Sequence, residues 1–302
     1  MAAGQLTVNF RSHQLMTIKE VKPIIWNFKI IGGEAAWQEV AYSAKMSGVP
    51  ASVGGEEIFK MILANDYGSA LEHVIVKFDI KMSKGNAPEL LEHRLASHSG
   101  YSTRYITVNK GMGKENEAYE IITPWHLVKN ADEKIRERAL FLGAVTQSIE
   151  AYEKMMEGGV PREIARYALP FCQAVGIYHF TMNLRSLINF LGLRLCVRAS
   201  AEMRCLAAQL YFLALAQLPI LNGMLGCRGF MLGLCPESNV TAVRTGNPLP
   251  NYPVCPFKAE QSKSHIPTRR EFRGGLWAQA FDLQQAVSVQ EENFRLWARW
   301  GR

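Results

Sequence analysis

The run VIVKFDIKM (residues 74–82) alternates apolar and charged positions, with Val76, Phe78, Ile80 and Met82 on one face and Lys77, Asp79 and Lys81 on the other. A period of two sends successive side chains to opposite sides of an extended chain, so a half-buried strand is predicted here. Behind it, Asn86-Ala87-Pro88-Glu89 reads as a helix start: Asn as N-cap, Pro in the first turn, Glu completing a capping box. That helix is expected to reach about Ser97 and to break near Gly100. Over 132–157, Ile135, Leu142, Val145, Ile149, Tyr152 and Met156 recur at helical spacing; Gly158-Gly159 ends the segment and Pro161 opens the next helix. Further on, Leu184, Leu187, Ile188 and Leu191 face a core, while Arg185 and Asn189 share another stripe. Residues 199–218 read as a long buried helix stopped by Pro219. Its greasiest part, CLAAQLYFLALAQL (205–218), carries two Gln and is shorter than the roughly 20 apolar residues a membrane span needs.

After Gly226 the texture changes. Residues 227–275 are rich in Gly, Pro and Asn, and NPLPNYPVCPF (247–257) predicts no regular structure. Residues 276–300 return to a helical pattern through Trp277, Phe281, Phe294, Trp297 and Trp300. The division predicted is a catalytic core over 1–225 and an extension over 226–302 that packs on the core or on a neighbouring subunit.

With 48% hydrophobic and 20% charged residues, the composition is that of an ordinary globular chain. Lys and Arg number 34 against 27 Asp and Glu, a net charge of +7, which suits an anionic ligand without requiring one. The 6 cysteines form no dense framework, and the N-terminus lacks the basic-then-apolar layout of a secretory signal. Reduced thiols in a cytoplasmic protein are therefore expected, with no membrane partner. Cys227, Cys235 and Cys255 with His265 are spaced more widely than structural zinc ligands, so no metal is assigned. Arg295, Arg299 and Arg302 interleave with Trp297 and Trp300 in a way that could stack on single-stranded nucleic acid. An amphipathic closing helix explains the same pattern, and nucleic acid is not expected as a partner.

The densest candidate chemistry is EHRLASHSGYSTRY (92–105), where Arg94, Ser102 and Arg104 lie close in sequence beside His93. Arg supplies a fixed fork of donors for phosphate or carboxylate. Two further segments, VPREIARYALP (160–170) and NLRSLINFLGLR (183–194), follow at intervals, and SALEHVIVKFDI (69–80) precedes. Together these stretches resemble the flavin-dependent thymidylate synthases, whose signature is Arg-His-Arg, a seven-residue gap, then Ser. Here it reads Glu92-His93-Arg94, the gap, then Ser102, with Arg104-Tyr105 following. The resemblance covers roughly residues 60–220.

It implies an α/β (α+β) fold with a central, mostly antiparallel sheet flanked by helices, assembled as a homotetramer. It also implies reductive C5 methylation of dUMP in dTMP biosynthesis, with methylenetetrahydrofolate giving the carbon, FAD carrying the redox step and NADPH reducing the flavin. What remains for the protein is orientation and charge. By matching positions, Ser102, Arg104 and Arg166 would hold the nucleotide and Arg194 would polarise the uracil, with Ser102 and Arg194 the catalytic pair. Ser69, Glu72, His93, Arg94, Asn183, Arg185 and Asn189 would contact the flavin. Asn183 reads equally as a helix N-cap, Glu72 could simply end a turn, and Arg162 reads as a solvated partner of Glu163 or Glu157.

Departures from the family pattern are Glu92 for Arg, Ser99-Gly100 for Asn-Glu, Glu89 for Gln, Tyr67 for His, and Ser200-Ala201-Glu202 for Gln-Trp-Glu. Reversing Arg to Glu about 4 Å from a phosphate changes the interaction by several kcal/mol even at an effective dielectric near 20. Two alternatives thus stand beside the family reaction: a paralogue acting on another pyrimidine nucleotide or one-carbon unit, and a non-catalytic nucleotide-binding scaffold.

Overall fold

The computed structural model describes residues 5–8, 16–65, 67–106, 108–110, 118–129, 132–232 and 283–300. Within them the strands are β1 (Gln5–Val8), β2 (Met16–Glu20), β3 (Ile24–Ile30), β4 (Ile75–Met82), β5 (Ala96–Gly100), β6 (Tyr119–Ile121) and β7 (Gly176–Asn183). The helices are α1 (Ala36–Met46), α2 (Gly55–Ala64), α3 (Ala87–Leu91), α4 (Trp125–Lys129), α5 (Ile135–Glu157), α6 (Arg162–Ala165), α7 (Leu184–Arg194), α8 (Ala201–Gln217), α9 (Arg228–Leu232) and α10 (Leu283–Trp300).

One sheet has the order β1-β2-β6, antiparallel between β1 and β2 and parallel between β2 and β6. The other has the order β3-β4-β7-β5. Its flanking bonds fix the directions. Leu184 N–H donates to Val74 C=O at one end of the β4–β7 pair and Lys84 N–H to Gln173 C=O at the other, so these strands are antiparallel. Ile31 N–H meets Ile75 C=O, and Asn27 Nδ2 donates to Asp79 at 2.6 Å, giving β3–β4 the same sense. The expected mixture of helix and antiparallel sheet is present.

The chain clusters into two compact units. The first draws its described residues from 1–24, 80–92 and 98–179. Its core joins Ile18, Tyr119 and Ile121 to Val145, Ile149 and Tyr152 of α5 and to Val175. Ile135, predicted to face this core, is instead 68% exposed, because it opens the helix ahead of the packed stripe. Gly159, at φ 79°, closes the α5 end as its sequence predicts.

The second unit draws on 25–79, 93–97 and the described residues from 180 onward. Its β4 residues Val76 and Phe78 are fully buried, and Phe78 stacks between Phe28 at 6.4 Å and Phe180 at 5.5 Å. Burying each such side chain contributes about 1.5–3 kcal/mol, far above any strand propensity difference. β3 breaks the period of two: Ile25, Phe28 and Ile30 are buried because Asn27 takes φ 51° and inserts an extra residue. Asn is one of the few side chains that tolerate this conformation.

The two Gln of the greasy 205–218 run now have a role. Gln209 Oε1 accepts from Ile25 N–H at 3.0 Å; Gln217 Oε1 accepts from Ile30 N–H at 2.7 Å, and its Nε2 donates to Phe28 C=O at 2.8 Å. β3 is an edge strand, and α8 supplies the missing partners for its backbone. No helix among the described residues is long and apolar enough to cross a membrane. α10 packs on α8, with Phe294 against Tyr211 at 5.0 Å and Trp297 under Arg204 at 4.1 Å.

One predicted element is corrected. The helix begun at Asn86 ends at Leu91, not Ser97, and Ala96–Gly100 is strand β5. Asn86 does stand at the N-cap, but its side chain makes no capping bond: its Nδ2 donates to Ser83 Oγ at 3.1 Å. Leu95, at φ 61°, turns the chain between the two elements, and pairing with β7 outweighs the short helix's weak local preference. The zinc reading at Cys235, Cys255 and His265, and the helical pattern at Trp277 and Phe281, lie outside the described residues.

Gln217→Leu should lower stability by about 1–3 kcal/mol, because a leucine of similar size leaves the Ile30 N–H and Phe28 C=O without partners. A urea titration with an unshifted midpoint would show that these bonds are dispensable.

Candidate functional site

The resemblance-derived residues fall into two clusters, one in each unit. In the second unit, β7 runs directly into α7, and Asn183 Oδ1 accepts from Ser186 N–H at 2.8 Å. Asn183 is therefore an N-cap, which fixes the first turn of the helix that carries Arg185, Asn189 and Arg194. Ser186 is 1% exposed and makes two more bonds: its carbonyl lies 2.9 Å from His93 Nε2, and its Oγ donates to Arg94 C=O at 3.0 Å. Both signature residues are thus anchored to the α7 start through one serine. Ser186 was absent from the predicted set although it stands inside the Arg-Ser-x-x-Asn pattern.

His93 is half-buried and edge-on to Phe190, at 5.3 Å between ring centres. Burial pushes its pKa below the ordinary value, the Ser186 carbonyl opposes that, and the nearby Arg194 charge adds to it. A neutral imidazole donating Nε2–H to Ser186 keeps Nδ1 as an acceptor. Arg94 is exposed, and the left-handed Leu95 follows it. A non-glycine residue with this φ costs about 1–2 kcal/mol and persists only where its surroundings hold it.

Glu72 closes the short 3-10 turn Gly68–His73, as its bland reading had it, but also forms an ion pair: Arg185 Nη1 lies 2.6 Å from its Oε1. Ser69, one 3-10 turn earlier, is exposed on the same side as Glu72, and Asn189 is exposed one helical turn beyond Arg185. Seven predicted cofactor residues and Arg194 therefore belong to one unit and to two adjoining elements plus the signature segment.

In the first unit, Ser102 heads a turn: its carbonyl accepts from Tyr105 and Ile106 N–H, each at 3.2 Å, and its Oγ accepts from Arg104 N–H at 3.3 Å. Arg104 Nε pairs with Glu163 Oε2 at 2.9 Å, and Arg166 Nε donates to the Glu163 carbonyl at 3.2 Å. One residue of α6 so holds both Arg104 and Arg166, and Ser102 adjoins Arg104 through the turn. Glu163 was not foreseen as a site residue, and neither was its neighbour. Arg162 is no solvated partner of Glu157 or Glu163. It donates Nη1–H to Tyr105 C=O at 2.7 Å, its Nε is buried without a hydrogen bond, and its charge opposes the burial-driven rise in the Tyr101 and Tyr152 pKa values. A side chain so placed holds the signature turn against α6.

The departures also have definite places. Glu92 is the exposed C-cap of α3 and makes no ion pair among the described residues. Gly100 lies against Tyr178: a Cβ there would come within 2.4 Å of the ring. No side chain larger than hydrogen fits at this position unless Tyr178 moves.

Arg, Ser and His side chains anchored on a mixed helix-and-sheet frame have the chemistry to hold an anionic ligand. The family model described as Thy1, thymidylate synthase complementing protein, matches residues 33–220, and the chain belongs to that family. Among its relatives are flavin-dependent thymidylate synthases. That of Geobacter sulfurreducens is 33% identical over 204 residues, 63% of this chain and 83% of the relative. That of Sulfurisphaera tokodaii is 38% identical over 146 residues, 48% and 52% of the two chains. A solved structure of a UMP/dUMP methylase, PolB from Streptomyces cacaoi bound with 5-Br dUMP, shares the fold at 19% identity and TM-score 0.54, over 67% of this chain and 94% of that one. The same methylase bound with 5-Br UMP gives a TM-score of 0.53.

The His93 environment sets a pH dependence. Its folded pKa lies below the unfolded 6.5, so the unfolded chain takes the proton more readily and stability falls as pH drops through 6.5. His93→Gln keeps a donor for Ser186 and should flatten that slope in denaturation curves measured between about pH 7 and 5. Equal slopes in the two proteins would rule the assignment out.

Proposed function

We propose that this chain is a flavin-dependent thymidylate synthase-type enzyme that transfers and reduces a one-carbon unit onto C5 of dUMP. Methylenetetrahydrofolate is the donor and NADPH the reductant, and the working form is a cytoplasmic homotetramer. Residues 1–225 constitute the catalytic part and 226–302 an extension. The observation that carries this reading is the anchoring of three separated family segments by two residues, Ser186 and Glu163.

The residues present fit a flavin dinucleotide. Arg94 and Arg185 offer guanidinium donors for its phosphates, and Arg185 remains 39% exposed while paired to Glu72. Ser69, Asn183 and Asn189 add neutral donors and acceptors, and His93 brings a neutral imidazole. When bound, the reduced flavin supplies the two electrons that make the transferred carbon a methyl group.

The remaining work belongs to the chain. Arg104 and Arg166 take the nucleotide phosphate, with Ser102 adding a hydroxyl at the head of the same turn. For the phosphate to reach Arg104 it must compete with Glu163, an exposed pair whose strength is small. Arg194, half-buried at the end of α7, draws electron density from the uracil carbonyl and adds to the burial that lowers the pKa of the neighbouring imidazole.

Gly100 favours a second reading of the acceptor. Where the family pattern has a carboxylate, this chain has the Tyr178 ring packed on bare backbone, and Glu89 and Glu92 alter the charge nearby in sequence. A different pyrimidine nucleotide, UMP among them, would meet a different wall.

Small molecules released from the purified chain should include FAD, and the protein should form dTMP from dUMP, methylenetetrahydrofolate and NADPH. A colourless tetramer that takes up no FAD would refute the flavin assignment; methylation of UMP with dUMP untouched would select the second reading. Arg166→Ala should weaken nucleotide binding by about 1.5–3 kcal/mol in calorimetry while FAD stays bound. Parallel loss of both ligands would make Arg166 a structural residue.

A further inference from the structure

Gly68 begins the 3-10 turn that carries Ser69 and Glu72, and it is buried. Its backbone angle lies outside the left-handed region, so conformation does not demand glycine there. Space does. A Cβ at residue 68 would fall 2.3 Å from Arg185 Nε, 2.7 Å from its Cζ and 2.9 Å from its Cδ. All three atoms belong to the far end of one side chain, so the volume a methyl group would fill is the volume the guanidinium occupies. On another side the same guanidinium is held at Nη1 by Glu72 Oε1, 2.6 Å away.

We propose that Gly68 is a positioning residue for the flavin-binding set. Its missing side chain lets the Arg185 guanidinium seat against the backbone of the 3-10 turn while paired to Glu72. This inference rests on the reading of Arg185 as a flavin contact. The fork of Arg is planar and rigid, so fixing Nη1 on a carboxylate and Nε against residue 68 settles the direction in which the remaining donors point. A side chain at 68 would cost the backbone little but would push the fork off its seat. Donors aimed by two restraints would then be aimed by one, and preorganisation for a phosphate would be lost.

The test uses the full chain and FAD titration followed by flavin fluorescence, with thermal unfolding of the flavin-free protein alongside. Gly68→Ala should melt close to the parent yet bind FAD roughly 10–100-fold more weakly, the factor for one lost charge-assisted contact. Arg185→Ala, which has no Cδ, Nε or Cζ to collide, should lose at least a similar factor. Adding Gly68→Ala to Arg185→Ala should then change FAD affinity no further. Unaltered FAD affinity in Gly68→Ala, or losses that add in the double variant, would overturn the proposal. So would a Gly68→Ala chain that unfolds even in the Arg185→Ala background, since the glycine would then answer to some other neighbour. A parent chain that takes up no FAD would refute the flavin reading itself, a result distinct from any of these.

Discussion

Ser186 offers its amide, hydroxyl and carbonyl to three different partners, and the second unit's cluster depends on that arrangement. The amide is spent on Asn183, which ends β7 and starts α7; the hydroxyl and carbonyl reach Arg94 and His93 across more than ninety residues of sequence. Because the serine is buried, each of these bonds forms away from competing water, and breaking one would leave a polar group unsatisfied. The consequence is geometric. Once the α7 start is fixed, helical spacing sets Arg185, Asn189 and Arg194 on the frame with no freedom beyond their own rotamers. The signature segment is tied to the same frame, at the cost of a left-handed Leu95 beside Arg94.

The Glu163 cluster in the first unit follows a different logic. Its members are largely exposed, so the Arg104–Glu163 pair is screened and contributes little to stability. What it supplies is order more than strength: the carboxylate holds a long cationic side chain in one place while leaving the pair open to exchange with another anion. Arg162 makes the backbone of the turn firm where the side chains are soft, through its bond to the Tyr105 carbonyl. The turn thus joins a rigid backbone to exchangeable charges.

Much of this was legible in the chain. The period-two run at 74–82, the Gly158-Gly159 stop and the Pro219 limit of α8 each reflect local physics that tertiary contacts did not overrule. The capping role of Asn183 was one of two readings open in the sequence, and its bond to Ser186 N–H bears it out. The misreading at 86–97 had a definite cause: Pro88 and Glu89 signal a helix start, but nothing in LASHSG betrays a strand, since every β5 residue after Ala96 is exposed and the element exists through its pairing with β7. Ser186 and Arg162 escaped for a related reason. A serine or arginine on a helix is ordinary in sequence, and their value lies in partners 92 and 57 positions away.

The contact of Gly100 with Tyr178 bears on what the enzyme can accept. A glycine two residues before Ser102 could be read as mere loop flexibility, yet its φ lies outside the left-handed region and its absent Cβ is the place where an aromatic edge rests. Tyr178 is itself buried on β7, with His98 edge-on at 6.0 Å, so moving the ring aside would break that packing. Burial also raises the pKa of its hydroxyl, so the ring carries a neutral donor and acceptor beside a residue 100 that has no carboxylate. A carboxylate accepts from a sugar hydroxyl or a ring N–H and repels a phosphate; a neutral phenol does neither so strongly. Gly100 and Tyr178 are therefore coupled across two strands: a side chain at 100 needs the space that the ring fills, so it could enter only with a smaller or displaced residue at 178.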